Sequence, residues 1–276
     1  MMRKLVLSMF VALAAVLGWA TAAMPALAQD ARACALGMVE GLPSFLPVSF
    51  RVAAVSPGQV AVTYLGHSSF VIETPGGATA VTDYNGLLTP GFPPDIVTMN
   101  NPHSSHYTNA PDGRIRHVLR GWNPEGGIAD HDLRYKDMHV FNIATNISDR
   151  GGGRQVNGNS IFVFESGGVC LVHLGHLHHY LNDRQQMQLR GADVLFVPID
   201  GTTTMSHQEA FHVIEQIAPR VIVPMHYQFG AAAGIFTAAS PYPVRRLGMS
   251  ALTLGKRDLP KDTEVWFLDP RYPGDL

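Results

Sequence analysis

The sequence predicts an α/β fold, and three observations carry the prediction. Short runs rich in β-branched and aromatic residues dominate from Val60 onward. A strand–helix–strand unit follows in the second half, between Ala192 and Tyr227. Histidines, 13 in all, gather where the predicted strands end. Loops at strand ends are where sheet scaffolds carry ligands and chemistry.

In chain order, Arg3 and Lys4 precede the apolar run LVLSMFVALAAVLGWATAA, and Ala26 to Ala28 read ALA before the polar Gln29 and Asp30. That is the order of a secretory signal, so residues 1–28 are expected to be a signal peptide. An uncleaved anchor is the alternative, because the run approaches spanning length. Gly18, Thr21 and the ALA site favour cleavage. The expected mature protein is exported, periplasmic or secreted, with no membrane association after signal cleavage. Removing Arg3 and Lys4 with no acidic residue takes the net charge from −2 to −4, and nothing in that balance points to nucleic acid. Residues 29–58 read as an N-terminal extension and 59–276 as one large domain. Cys34 and Cys170 permit a disulfide in an exported chain, whereas the apolar surroundings VCLVHL suit a buried thiol equally well.

VAVTYLG (60–66), SSFVIET (68–74) and ATAVTD (78–83) form an expected three-strand meander, turned by Pro75 to Gly77. DIVTM (95–99) is a further strand, then HVFNI (139–143), SIFVFES (160–166), VCLVHLG (169–175), ADVLFVPID (192–200) and VIVPMHY (221–227). SHQEAFHVIEQIAP places a capping box at Ser206 and Glu209 ahead of apolar Ala210, Val213, Ile214 and Ile217, an amphipathic helix stopped by Pro219. Gly151 to Gly153 read as a flexible loop.

Three strand-end loops carry the imidazoles of interest: His103 and His106 in TMNNPHSSHYTN, His173 to His179 in HLGHLHH, and His226 in VPMHY. Each histidine alone is more often a surface or hydrogen-bonded residue; several converging loops point to a metal. VTYLGHSSFVIETPGGATAVTD, HLGHLHHYL and PIDGTTTMSHQEAFHVIEQIAPRVIVPMHY, in that order, resemble the metallo-β-lactamase superfamily, in particular its branch of ascorbate-phosphate lactonase-like hydrolases. The resemblance covers about Val60 to Tyr227 and implies a four-layered αββα sandwich with a metal site along one edge of its two sheets.

The resemblance also implies altered ligands. The family's His-x-His-x-Asp-His loop falls on Asn101, His103, Ser105 and His106, its next histidine on Asn146, its bridging aspartate on His176 and its last histidine on His226. Asn101 and Asn146 are neutral amides, weak zinc ligands, so one of the family's two metal positions is expected to be lost. His106, His176 and His226 remain as a three-histidine site for one divalent metal, zinc with manganese or iron as alternatives, with His103 able to join as a fourth ligand. Asp83 is expected to orient a ligand histidine, and Ser105, Asn101 and Asn146 to stand around the ligands.

The implied activity is a metal-dependent hydrolase, a metal-activated hydroxide attacking an ester, lactone or phosphoester of a small-molecule substrate. His103 or His178 are the candidate proton acceptors, because the loop aspartate is absent. An inactive metal- or ligand-binding protein of the same fold is the alternative. Asp200 and Tyr227 read either as cleft lining or as structural, His67 as a hydrogen-bonded turn residue, and His207 and His212 as solvated. His173, His178 and His179 read as a substrate-facing rim or alternative ligands, and Trp122 as a pocket wall or a core residue.

Overall fold

The computed structural model describes Cys34 and residues 55–148, 154–227 and 231–271. The expected signal peptide, most of the expected extension and the Gly151 to Gly153 loop lie outside the described residues. Fourteen strands and three helices follow one another in them: β1 (Gln59–Gly66), β2 (Ser69–Glu73), β3 (Thr79–Val81), β4 (Ile96–Met99), β5 (His117–Arg120), β6 (Asp132–Tyr135), β7 (Met138–Ser148), β8 (Arg154–Ser166), β9 (Val169–His173), α1 (Asp183–Leu189), β10 (Val194–Pro198), α2 (His207–Ile217), β11 (Val221–Met225), α3 (Ala232–Ala239), β12 (Val244–Arg246), β13 (Ala251–Gly255) and β14 (Glu264–Phe267).

Two sheets form. The smaller has the order β13-β1-β2-β3-β4-β5, the larger β12-β14-β11-β10-β9-β8-β7-β6. The expected meander is β1-β2-β3, antiparallel, and β3, β4 and β5 then run parallel. In the larger sheet β9, β10, β11 and β14 are parallel. Parallel strands need crossovers, and α2 supplies the one between β10 and β11. Its capping box is formed, with Ser206 accepting from the Glu209 amide and the Glu209 carboxylate accepting from Ser206.

The inner faces of the sheets enclose one apolar cluster, with Val62, Phe70 and Ile72 from the smaller sheet against Phe162, Leu171 and Phe196 from the larger. The outer face of the larger sheet meets all three helices through Leu189, Val213, Ile217 and Phe236. Over the outer face of the smaller sheet, among the described residues, the cover is loop in place of the helical layer that the resemblance implies: Tyr84, Tyr107, Ile115 and Trp122 pack on Val71, Val97 and Met99. Trp122 is half-buried and meets Tyr107 edge to face. Cys34 and Cys170 are disulfide-bonded, which settles the open choice between bridge and buried thiol and fixes one point of the extension to β9.

Candidate metal centre

Parallel strands end together, and here two sets of them end at one place. β3 and β4 deliver Asp83, Asn100, His103 and His106 from the smaller sheet; β9, β10 and β11 deliver His176, Asp200 and His226 from the larger. The β1–β2 turn adds His67. Hydrogen bonds that stitch the sheets at this end include His226 N–H to His67 O (2.8 Å), His173 Nε2 to Ser68 O (2.9 Å) and Ser160 N–H to Asn100 Oδ1 (2.7 Å).

His103, His106, His176 and His226 converge, each offering one nitrogen, with all four atoms within 4.8 Å of one another. His103 is exposed and the other three are buried. Behind each ring stands a partner for Nδ1. His106 Nδ1 is 2.6 Å from Asp83 Oδ2, His226 Nδ1 3.3 Å from Asp200 Oδ1, His176 Nδ1 2.7 Å from His178 Nε2, and His103 Nδ1 2.6 Å from Ser105 Oγ. Such partners fix the tautomer and aim Nε2 inward. Asp83 is itself held by the Asn100 amide (3.0 Å), and Asp200 by Thr202, Thr203 and Thr204.

The electrostatics favour neutral ligands. Burial drives His106 well below the ordinary histidine range, with the charges of His226 and His103 adding to it. His176 is lowered for the same leading reason, then by His106 and His226. Burial raises Asp83 to about 6, so at neutral pH it is mostly a carboxylate that can accept from His106 Nδ1–H. Burial works against ionised Asp200 too, but hydrogen bonds from His226, Thr204 and Thr203 outweigh it and hold the group far below the carboxylate range.

The donor set fits a divalent transition ion. His106 Nε2 and His226 Nε2 are buried without a hydrogen-bond partner, a costly arrangement unless something else takes those lone pairs. His103 Nε2 and His176 Nε2 lie 3.1 Å apart. Two nitrogens at about 2.0–2.1 Å from one tetrahedral zinc stand about 3.3 Å apart, so the pair needs little adjustment. An all-imidazole set suits zinc, copper, nickel or iron better than manganese, which prefers oxygen.

A model of the Beta-lactamase superfamily domain matches residues 61–226, which spans every residue of this cluster. The chain belongs to the metallo-β-lactamase superfamily. Among superfamily relatives, a UPF0173 protein of Pyrococcus furiosus is 40% identical over 206 residues, covering 65% of this chain and 86% of that one. A UPF0173 metal-dependent hydrolase of Methanospirillum hungatei is 28% identical over 189 residues, covering 60% and 82%. The crystal structure of a candidate Zn-dependent hydrolase of the metallo-β-lactamase superfamily from Thermotoga maritima aligns with a TM-score of 0.58 at 26% identity, over 77% of this chain and 100% of that one. The structure of a candidate metal-dependent hydrolase from Parabacteroides distasonis, at 14% identity and a TM-score of 0.53 over 76% and 94%, shares the fold.

Against the superfamily pattern, several expected residues take different places. His103 stands with the other three imidazoles, where the sequence allowed it a fourth ligand's place. Ser105 links His103 Nδ1 to His67 Nε2 (3.2 Å). His178, expected as a proton acceptor, uses Nε2 to brace His176 from behind. Asn101 has no part in holding Asp83; the adjacent Asn100 does that. Asn146 turns its carbonyl oxygen to the Asn157 amide and its backbone N–H to His179 Nε2, contacts that tie the β7–β8 hairpin to the histidine loop.

His173 is structural: it accepts from the Gly175 amide and donates to Ser68 O. His207 is not solvated, since Nε2 reaches Ile199 O at 2.9 Å and the ring meets Phe236, whereas His212 is exposed. Tyr227 donates to Leu268 O and packs with Tyr64. His67 is the residue that sequence reasoning undervalued. Its ring lies 4.3 Å from that of His226 and 4.8 Å from that of His106. The strand-end rule that selected the other histidines applies equally to it.

Proposed function

We propose that the protein is an exported metal-dependent hydrolase that acts on an ester, lactone or phosphoester of a small molecule, with one divalent ion, zinc first, held by His106, His176, His226 and His103. The observation that carries the reading is the convergence of four imidazoles with a partner behind every Nδ1 and two buried Nε2 atoms left over. The names of the Methanospirillum and Thermotoga relatives support hydrolysis and zinc.

A divalent ion in such a site supplies Lewis-acid polarisation and activates water near neutral pH. The residues of the chain supply the rest. Asp83 and Asp200 keep His106 and His226 in the Nδ1–H tautomer, and their negative charge offsets part of the ion's. His178 does the same for His176 as a neutral acceptor. His67 and Ser105, hydrogen-bonded to each other, are the polar groups that stand beside the exposed His103. Export is supported by the Arg3-to-Ala28 pattern and by the Cys34–Cys170 bridge, a bond that persists in oxidising compartments.

A second reading, a metal-binding protein without turnover, is favoured by one observation: the fourth imidazole fills the place that catalytic zinc sites usually leave open. Metal content and turnover decide between them. Purified protein should carry one equivalent of metal and hydrolyse at least one compound from a panel of lactones, carboxylic esters and phosphodiesters. One equivalent with no turnover across the panel favours the second reading; no metal after loading sinks both.

A further inference from the structure

The four imidazoles are not held alike. His106 is fully buried and backed by Asp83, itself fully buried. His226 is backed by Asp200, which three threonines grip. His176 is backed by His178, and its backbone N–H is tied to Asn159 Oδ1 at 2.7 Å. His103, on the same loop as His106, differs in two respects. It is exposed, and the partner at its Nδ1 is a hydroxyl, that of Ser105, which is also within 3.2 Å of His67 Nε2. A carboxylate behind an imidazole raises its basicity as a ligand; a neutral hydroxyl does far less. The ring with a hydroxyl behind its Nδ1 is therefore also the outermost one.

We infer that His103 is a detachable ligand: His106, His176 and His226 hold the ion permanently, and His103 closes the fourth position until an incoming oxygen or nitrogen donor displaces it. The inference rests on the reading of the cluster as a metal centre. Four protein ligands make the closed coordination of structural zinc, and three with an open place make the catalytic form. A ring that leaves converts one into the other within a single chain. The exchange is balanced: the bond from His103 Nε2 to the ion breaks as the bond from the incoming donor forms, and no charge other than the donor's enters. The ion, set among four neutral imidazoles with its nearest carboxylates in the outer layer, attracts an anionic donor most. When its Nε2 lets go, the ring remains tethered through Nδ1 to Ser105, beside His67, and so stays next to the ligand that replaced it.

The full chain loaded with cobalt(II), with azide as the probe donor, tests this. Wild type and His103→Ala should each bind one equivalent of cobalt, while His106→Ala binds none at the same free concentration. Azide, followed by its charge-transfer absorption, should bind His103→Ala at least about tenfold more tightly than wild type, because a site closed for most of its time taxes the apparent affinity by its open fraction. Ser105→Ala, which removes the brace and keeps the ring, should fall between them. Equal azide affinity in wild type and His103→Ala, with one cobalt in each, overturns the inference and leaves the metal centre standing. Loss of cobalt from a folded His103→Ala also overturns it. A wild type that takes up no cobalt overturns the metal centre itself.

Discussion

Asp83 Oδ2 stands 2.6 Å from His106 Nδ1, and neither side chain has any exposed surface. A carboxylate in that position orients the ring and strengthens the opposite nitrogen as a ligand. Asp83→Asn keeps the shape and removes the charge. Metal affinity should drop by about 10–100-fold, the usual effect of losing such a partner. Competition with a chromophoric chelator measures it; an unchanged affinity would show that Asp83 serves the fold alone.

Gly175 has φ of +59°, and a Cβ there would run into Asn100 Nδ2 and Asn159 Oδ1. Those amides hold Asp83 and the His176 backbone. Gly175→Ala combines a left-handed backbone with overpacking and should cost about 2 kcal/mol or more. Because the displaced groups brace two ligands, metal affinity should fall with it. Urea unfolding and chelator competition on one preparation check both effects.

Acid should destabilise the metal-free protein. Burial leads the lowering of the His67, His106, His173 and His176 values below the 6.5 of an unfolded chain. An imidazole kept neutral in the fold leaves the unfolded chain binding more protons below pH 6.5, so stability drains away as pH falls through that value and beyond. Asp83, raised to about 6, has the opposite sign: its penalty is complete above pH 6 and fades toward 3.8. Several histidines outweigh one carboxyl, and each contributes up to about 1.4 kcal/mol per pH unit. The urea midpoint of chelated protein should decline from pH 7 to 5. A flat or rising midpoint would contradict the buried, neutral imidazoles.

The Cys34–Cys170 bridge joins residues 136 positions apart. Cross-links of this kind stabilise mainly by restricting the unfolded chain, typically by 2–4 kcal/mol. The Cys34→Ala, Cys170→Ala double variant should lose about that much, and reduction of wild type should match it. Cys170 lies six residues before His176, so metal content of the reduced protein shows whether the bridge also steadies the ligand loop.

The amphipathic helix with its Ser206 cap, the meander and the buried strands β9 to β11 were legible because their patterns are local and strong. The short elements α1 and β12 to β14 were not. β12 to β14 are short runs such as VRR and ALTLG whose pairing is decided by distant partners, and α1 has only seven residues. The β7–β8 hairpin is longer than its apolar stretch suggests, because Thr145, Asn146, Ser148 and RQVNGN interrupt the apolar pattern with polar residues. At the site, position after a strand is enough to nominate His103, His106, His176 and His226. Their braces are another matter: the choice of Asn100 over Asn101, and of His178 as a partner for His176, depends on rotamers and on the other sheet. No single loop contains that information.

The ligand nitrogens divide two and two between the sheets, His103 and His106 on one, His176 and His226 on the other. An ion bound by all four is thus a rivet through the sandwich. Binding to the folded chain and not to the unfolded one, it adds stability that grows with the logarithm of free metal. The melting temperature of this protein should therefore report the metal concentration around it, and a sheet that slips against its neighbour should release the ion before it exposes the core.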